Sequence, residues 1–164
     1  MSLRYLLCGL SLLLLAGCPP KKPTTTQALP QTEVQNANKE KVSLLSVTQG
    51  KVAVVDLWAT WCEPCKETLP KLERLANAYG PAGLLVLGVD VGEDDFAAVQ
   101  AFALKIPVTY PLYFDPSFAF VDSLGSTKVP TLLVLDRSGR IVHRSSSLDE
   151  QTLQIIRAQL SLSQ

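Results

Sequence analysis

Histidine occurs once in this chain, at position 143, and methionine only at the initiator. A tetrahedral zinc site needs four nitrogen, sulfur or carboxylate ligands, and a lone imidazole offers a poor start on one. Neither sign of charge is in surplus, with 15 Lys+Arg against 15 Asp+Glu and a net charge of zero. Without a basic patch or a block of like charge, nucleic acid is not an expected partner. No internal repeat is visible, which sets aside solenoid and propeller architectures. Long hydrophobic runs are also missing. The apolar stretch Tyr5 to Leu15 falls well short of the roughly 20 residues a membrane-spanning helix requires. Cysteine is sparse, at positions 8, 18, 62 and 65, so a domain stapled by several structural disulfides is excluded.

What is present begins with a targeting segment. Met1-Ser2-Leu3-Arg4 carries one positive charge, and the apolar stretch after it has signal-peptide length. Leu15-Ala16-Gly17-Cys18 resembles the lipobox of bacterial lipoproteins. That resemblance implies removal of residues 1–17, Cys8 among them, and lipidation of Cys18 as the new N-terminus. Pro19 follows the lipidated position. By resemblance to lipoprotein sorting rules this favours the outer membrane and the periplasmic side of a bacterial cell envelope. Residues 18–41 are rich in Pro, Lys, Thr, Gln and Asn without hydrophobic period, and read as a disordered tether. Such a coil would reach roughly 25 Å. The remaining span, 42–164, has the size of one domain.

Within that span strand and helix patterns alternate. Val42 to Val47 reads as a short strand and Lys51 to Trp58 as a buried one. Glu63 to Tyr79 has helical spacing, with Leu69, Leu72, Leu75, Ala76 and Tyr79 on one side and Pro70 predicted to kink it. Leu84 to Asp90 is a continuous apolar run, hence a buried strand. A helix over Asp94 to Lys105, a short strand over Leu112 to Phe114 and a short helix over Ser117 to Leu124 follow. Thr131 to Asp136 and Arg140 to Arg144 read as strands joined by the turn Asp136-Arg137-Ser138-Gly139. Ser147-Leu148-Asp149-Glu150 has the form of a capping box opening a last helix. The alternation predicts an α/β domain with helices on both faces of a central sheet.

Cys62 and Cys65 fall where the strand ending at Trp58 gives way to the helix starting at Glu63. A helix N-terminus favours an anion through its unpaired N–H groups and its dipole. The anion of consequence is a thiolate, the reactive form of cysteine. Two thiols three positions apart close a very small loop, which suits electron exchange better than stapling a fold.

Val55-Asp56-Leu57-Trp58-Ala59-Thr60-Trp61-Cys62-Glu63-Pro64-Cys65 resembles the active-site segment of thioredoxin-fold proteins. Val129-Pro130-Thr131 is similar to the cis-proline signature of the same family. The combination most resembles the membrane-tethered TlpA/ResA/DsbE-like branch, with Asp94 to Phe114 as its extra helix and strand in a mixed sheet. The resemblance implies a thiol–disulfide oxidoreductase. Cys62 would be the exposed nucleophile and Cys65 the resolving thiol. Asp56, in an otherwise apolar run, would be a buried acid of raised pKa that takes the proton of Cys65. Trp61, Glu63 and Pro64 would flank the site, and Val129 and Pro130 would receive an extended substrate strand. Glu63 beside the thiolate opposes the helix dipole, so a reductant is expected, with cytochrome c maturation as one role in this branch. Many members carry a glutamate three residues after the second cysteine, where this chain has Thr68.

No cofactor beyond a Cys62–Cys65 disulfide is expected, and no metal. The expected partners are protein disulfides or dithiols and a membrane electron donor; nothing demands an oligomer, so a monomer is expected. Two other readings stay open. A thioredoxin-fold metallochaperone or binding module would use three residues between cysteines plus a histidine. A thiol peroxidase of the peroxiredoxin type would place its nucleophile in a Pro-x-x-x-Thr-x-x-Cys context, where this chain has Asp56-Leu57-Trp58-Ala59.

Overall fold

A computed structural model describes residues 27–92, 95–106, 108–125 and 128–161. The signal segment, Cys8 and Cys18 lie outside them. Among the described residues there are eight strands and five helices. They are β1 (Gln27–Ala28), β2 (Glu33–Gln35), β3 (Lys41–Ser43), α1 (Leu44–Thr48), β4 (Val52–Trp58), α2 (Glu63–Tyr79), β5 (Leu84–Asp90), α3 (Phe96–Ala103), β6 (Leu112–Phe114), α4 (Ala119–Ser123), β7 (Thr131–Leu135), β8 (Arg140–Ser145) and α5 (Glu150–Ser161). A 3-10 turn at Gly80–Ala82 links α2 to β5.

The strands form one mixed sheet in the order β1-β8-β7-β4-β5-β6-β2-β3. β4 runs parallel to β5, and β5 to β6, while β7 is antiparallel to both β4 and β8. β4 lies at the centre, and all seven of its residues are buried. Side chains alternate across a strand, and β4 shows it. Val52, Val54 and Trp58 face a core that includes Leu69, Leu72 and Leu75 of α2 and Ile156 of α5. Ala53, Val55 and Leu57 face a second core with Leu44 of α1 and Phe120 and Val121 of α4. Burying a leucine of this kind is worth about 1.5–3 kcal/mol, so two apolar layers clamp the strand that carries Asp56 and leads to the cysteines.

α2, β5 and β6 have the bounds expected of them. α2 continues through Pro70 without interruption. α3 and β6 supply the expected helix–strand insertion, with β6 extending the sheet beside β5.

Three expectations need correction. Gln27–Ala28, Glu33–Gln35 and Lys41 are strand residues of the sheet, so the stretch 27–41 is not a disordered tether. β1 pairs with β8, and β2 with β3 and β6. Leu29 and Val34 are core residues, and between the two edges Thr32 bonds Ser123 of α4 at 2.9 Å. Edge pairing through backbone bonds needs little from side chains, which is why polar composition hid these strands. Val42 to Val47 is not one strand: the chain turns into α1 at Leu44, which is fully buried, while the Thr48 hydroxyl donates to the Leu44 carbonyl at 2.9 Å. Tertiary packing overrides the β-branched preference there. The last helix is capped by Asp149, whose Oδ1 accepts from Thr152 N at 2.8 Å, two residues later than the predicted Ser147 cap.

Candidate active site

Cys62 is the N-cap of α2, with extended backbone (φ −79°, ψ 98°). Its sulfur accepts from the backbone N–H of Cys65 at 3.3 Å, and its N–H donates to the Ala59 carbonyl at 3.1 Å. Pro64 sits in the first turn, where a missing N–H costs nothing. Cys62 and Cys65 are joined as a disulfide, with an S–S distance of 2.03 Å and Cα atoms 5.3 Å apart. The N-terminal end of α2 thus places one sulfur among the unpaired N–H groups that stabilise a thiolate.

Cys62 retains 4 % of its surface and Cys65 none. Cys62 is therefore the more accessible of the two residues, but it is largely covered rather than exposed. The open neighbour is Trp61, 65 % exposed. Trp58, three residues earlier in the sequence, is instead a core residue stacked on Phe102 of α3 with ring centroids 5.4 Å apart.

Glu63 and Pro64 are exposed on the first turn of α2. The Glu63 carboxylate accepts from Lys66 Nζ at 2.7 Å. This ion pair offsets the charge that was expected to oppose the thiolate, so Glu63 argues less for a reductant than the sequence suggested. The position three residues after Cys65 is Thr68, buried, with its hydroxyl donating to the Pro64 carbonyl at 3.1 Å. It braces the first turn and supplies no carboxylate.

Asp56 is completely buried, and neither carboxylate oxygen has a protein hydrogen-bond partner. Desolvation raises its pKa to about 7. By strand alternation its side chain lies on the α2 face of the sheet, the face to which Cys62 and Cys65 also belong.

The Val129–Pro130 peptide bond is cis. Both residues are half-buried, and Thr131 immediately after them pairs with Leu57 at the end of β4 that leads to the cysteines. The fold therefore brings Val129 and Pro130 to the same end of the sheet as the disulfide. His143 is half-buried on β8, with Nε2 3.3 Å from the Thr152 hydroxyl. Among the described residues no group of three or more His, Cys, Asp and Glu side chains is arranged to hold a metal ion, and no helix is long and apolar enough to cross a membrane.

Sequence reasoning passed over Tyr110. It is buried in the core that holds both cysteines, its hydroxyl lacks a protein partner, and burial, then the Asp56 and Glu73 carboxylates, hold its pKa far above the usual tyrosine range. Gly88, the register partner of Asp56, was passed over as well. Nothing in Thr109-Tyr110-Pro111 marks the tyrosine locally; only the sheet brings it near Asp56.

Known proteins place this geometry. The chain is similar to the thiol-disulfide oxidoreductase ResA of Geobacillus thermodenitrificans, 30% identical over 93 residues that make up 57% of this chain and 53% of that protein. It thus spans about half the length of that relative. Among solved structures, the thioredoxin domain of a thiol-disulfide oxidoreductase from Bacteroides vulgatus superposes with a TM-score of 0.72 at 19% identity, covering 82% of this chain and 96% of the other. DsbF from MTB, in mixed oxidised and reduced forms, gives a TM-score of 0.68 at 25% identity, covering 83% and 99%. The fold is thioredoxin-like. The AhpC/TSA family pattern matches residues 25–144, a span that takes in the edge strand β1, the disulfide and the cis proline, and this chain belongs to that family.

Proposed function

We propose that this protein is a membrane-anchored, extracytoplasmic thiol–disulfide oxidoreductase that reduces disulfides in partner proteins through Cys62 and Cys65. The observation that carries the reading is the Cys62–Cys65 disulfide with Cys62 as the N-cap of α2. In the reduced protein the Cys62 thiolate attacks a partner disulfide. A mixed disulfide forms and one partner thiolate leaves. Asp56 takes the proton of Cys65, and the Cys65 sulfur then attacks Cys62. The intramolecular disulfide closes and the second partner thiolate departs. Two electrons pass to the partner, and the pair of cysteines is the only redox group the scheme uses.

Trp61, Glu63 and Pro64 form the exposed side of the site that meets the partner, and the Val129 backbone beside Pro130 pairs with its extended chain. A lipid on Cys18 holds the domain at a bacterial envelope membrane on the periplasmic side, with an outer-membrane preference from Pro19. A membrane electron donor recycles the disulfide. Cytochrome c maturation is a role consistent with the ResA likeness.

The test is a pair of experiments on the lipidated protein in detergent. The variant C65S should accumulate a mixed disulfide with partner proteins at Cys62, and C62S should accumulate none. Equilibration against a thiol buffer should give a reduction potential below about −250 mV, in the range of thioredoxin. A value near about −120 mV would make the protein an oxidant. Direct turnover of peroxide, with no mixed disulfide in C65S, would replace this reading with a thiol peroxidase.

A further inference from the structure

The last turn of α3 reaches the first turn of α2 through one aromatic ring. Phe102 stacks on Trp58, the last residue of β4, with ring centroids 5.4 Å apart and planes inclined by 23°. Lys66 Nζ stands 5.9 Å from the centroid of the same ring. That is inside the roughly 6 Å over which an aromatic face attracts a cation. The other partner of the ammonium is Glu63, whose Oε2 accepts from it at 2.7 Å. The Lys66 side chain keeps 39 % of its surface in solvent, against 80 % for Glu63.

This position bears on Cys62. Lys66 follows Cys62 by four residues, and its backbone N–H donates to the Cys62 carbonyl at 3.4 Å, so the two adjoin on successive turns. Glu63, which holds the ammonium, is the residue next to Cys62. Phe102 packs against the core cluster to which Cys62 and Cys65 belong. Between Cys62 and Pro70, Lys66 is the one basic residue. Other ionisable groups lie on the elements packed around the pair. Asp56 of β4 is buried with a pKa of about 7, and Asp90 is buried at the end of β5 as the register partner of Trp58. Glu67 and Lys105 are exposed, and Lys128 stands two residues before the cis proline.

We propose that Lys66, held in the first turn of α2 by Glu63 and by the Phe102 ring of the insertion, is the counter-charge of the Cys62 thiolate and so sets the reduction potential of the pair. The proposal rests on the oxidoreductase reading and adds Lys66 and Phe102 to it, Phe102 as a positioning residue. A donor dithiol reduces the Cys62–Cys65 bond: the S–S bond breaks, two electrons arrive, and the donor closes its own disulfide. Of the donor's two protons one goes to Cys65 and the other to solvent, which leaves Cys62 as the thiolate. The oxidised pair of sulfurs is neutral, so Lys66 there balances Glu63 alone. Once Cys62 is charged, the ammonium serves two anions on neighbouring residues. It therefore stabilises the reduced form, and Glu63 limits by how much. Phe102 keeps the ammonium over the site rather than out in solvent, which is how α3 acts on the potential without carrying a charge there.

The test uses the full-length protein in detergent. Alkylation of Cys62 by iodoacetamide is followed from pH 4 to 9 on the reduced protein, and the disulfide is separately equilibrated with a glutathione buffer at pH 7. K66Q should move the midpoint of the alkylation profile upward by about 0.5–1 unit. The same shift should make the disulfide about three- to tenfold harder to reduce. K66R keeps the charge and should stay with wild type, and E63Q should move both readings the other way. F102L should follow K66Q by a smaller amount and add nothing in a K66Q background. At 1 M salt, where screening acts within about 3 Å, the differences should shrink. Asp56 is common to all the variants and cancels in the comparison. A K66Q that matches wild type in both readings overturns the proposal. So does an equal shift in K66R, or a shift indifferent to salt, either of which would make Lys66 a packing residue. A wild-type profile in F102L overturns the part given to the insertion. If the wild-type cysteines form no reversible disulfide, the oxidoreductase reading itself falls, a result distinct from these.

Discussion

Asp56 carries the strongest consequence of any single side chain. Its folded-state pKa, about 7, stands above the 3.8 of an unfolded aspartate because burial penalises the charge. Below about pH 4 the group is protonated in both states and its contribution to stability is fully present. As pH rises toward 7 the unfolded chain ionises while the folded one keeps its proton, so stability falls. The shift sets an upper bound on the order of 4 kcal/mol. D56N should lack this decline and exceed wild type in stability above pH 7, while closing the Cys62–Cys65 disulfide more slowly. Denaturant unfolding from pH 4 to 8 checks the first part and thiol-trapping kinetics the second. Trp61 is the opposite case, with most of its surface in solvent. W61A should change stability by no more than about 0.5 kcal/mol. It should lower the rate of mixed-disulfide formation with protein partners while leaving that with a small aliphatic disulfide nearly unchanged. Equal loss with both kinds of substrate would remove Trp61 from partner contact.

Among the elements, β5 is constrained by what lies over Gly88. A Cβ there would meet Leu112 Cδ2 and Trp58 Nε1 at distances well inside ordinary contact. G88A should cost about 1–3 kcal/mol, the usual penalty of overpacking, and should perturb Trp58 fluorescence; a neutral result would mean the Trp58 indole and Leu112 shift without cost. The β7–β8 hairpin is held by one side chain. Asp136 Oδ1 accepts from the backbone N–H groups of Ser138 and Arg140 at 2.9 and 3.0 Å, and Oδ2 accepts from Arg140 Nε at 3.1 Å. These bonds, together with that from the Ser138 hydroxyl, hold its carboxyl below the usual aspartate range despite partial burial. D136A should therefore cost about 1–2 kcal/mol, measured by chemical denaturation at neutral pH. The deficit should shrink as pH falls through the aspartate range and the wild-type carboxylate is itself protonated.

For the molecule as a whole, the added strands close what would otherwise be bare sheet edges. β1 covers β8, and the β2–β3 hairpin covers β6. Exposed edges template pairing with other chains. A chain that begins at Val42, the boundary composition suggests, would lose β1, β2 and the buried Leu29 and Val34. It should melt well below a chain beginning at Thr24 and associate at high concentration, as light scattering would show. Equal melting temperatures would mean that the edge strands add nothing to the fold.

The sequence alone determined the elements whose signal is local. α2 and β5 were legible to the residue because helical spacing and a continuous apolar run are written in neighbouring positions. Cys62, Cys65 and Pro130 were legible as motifs for the same reason. The tertiary structure decided whatever depends on residues distant in the chain. It recruited Gln27–Ala28 and Glu33–Gln35 into the sheet, since an edge strand is made by its neighbour's backbone. It sent Trp58 into the core and Trp61 to solvent, because the chain leaves the sheet between them. It paired Glu63 with Lys66, changing the electrostatics expected around Cys62. It set Gly88 beside Asp56, a juxtaposition made by strand register between β4 and β5, which no local pattern records.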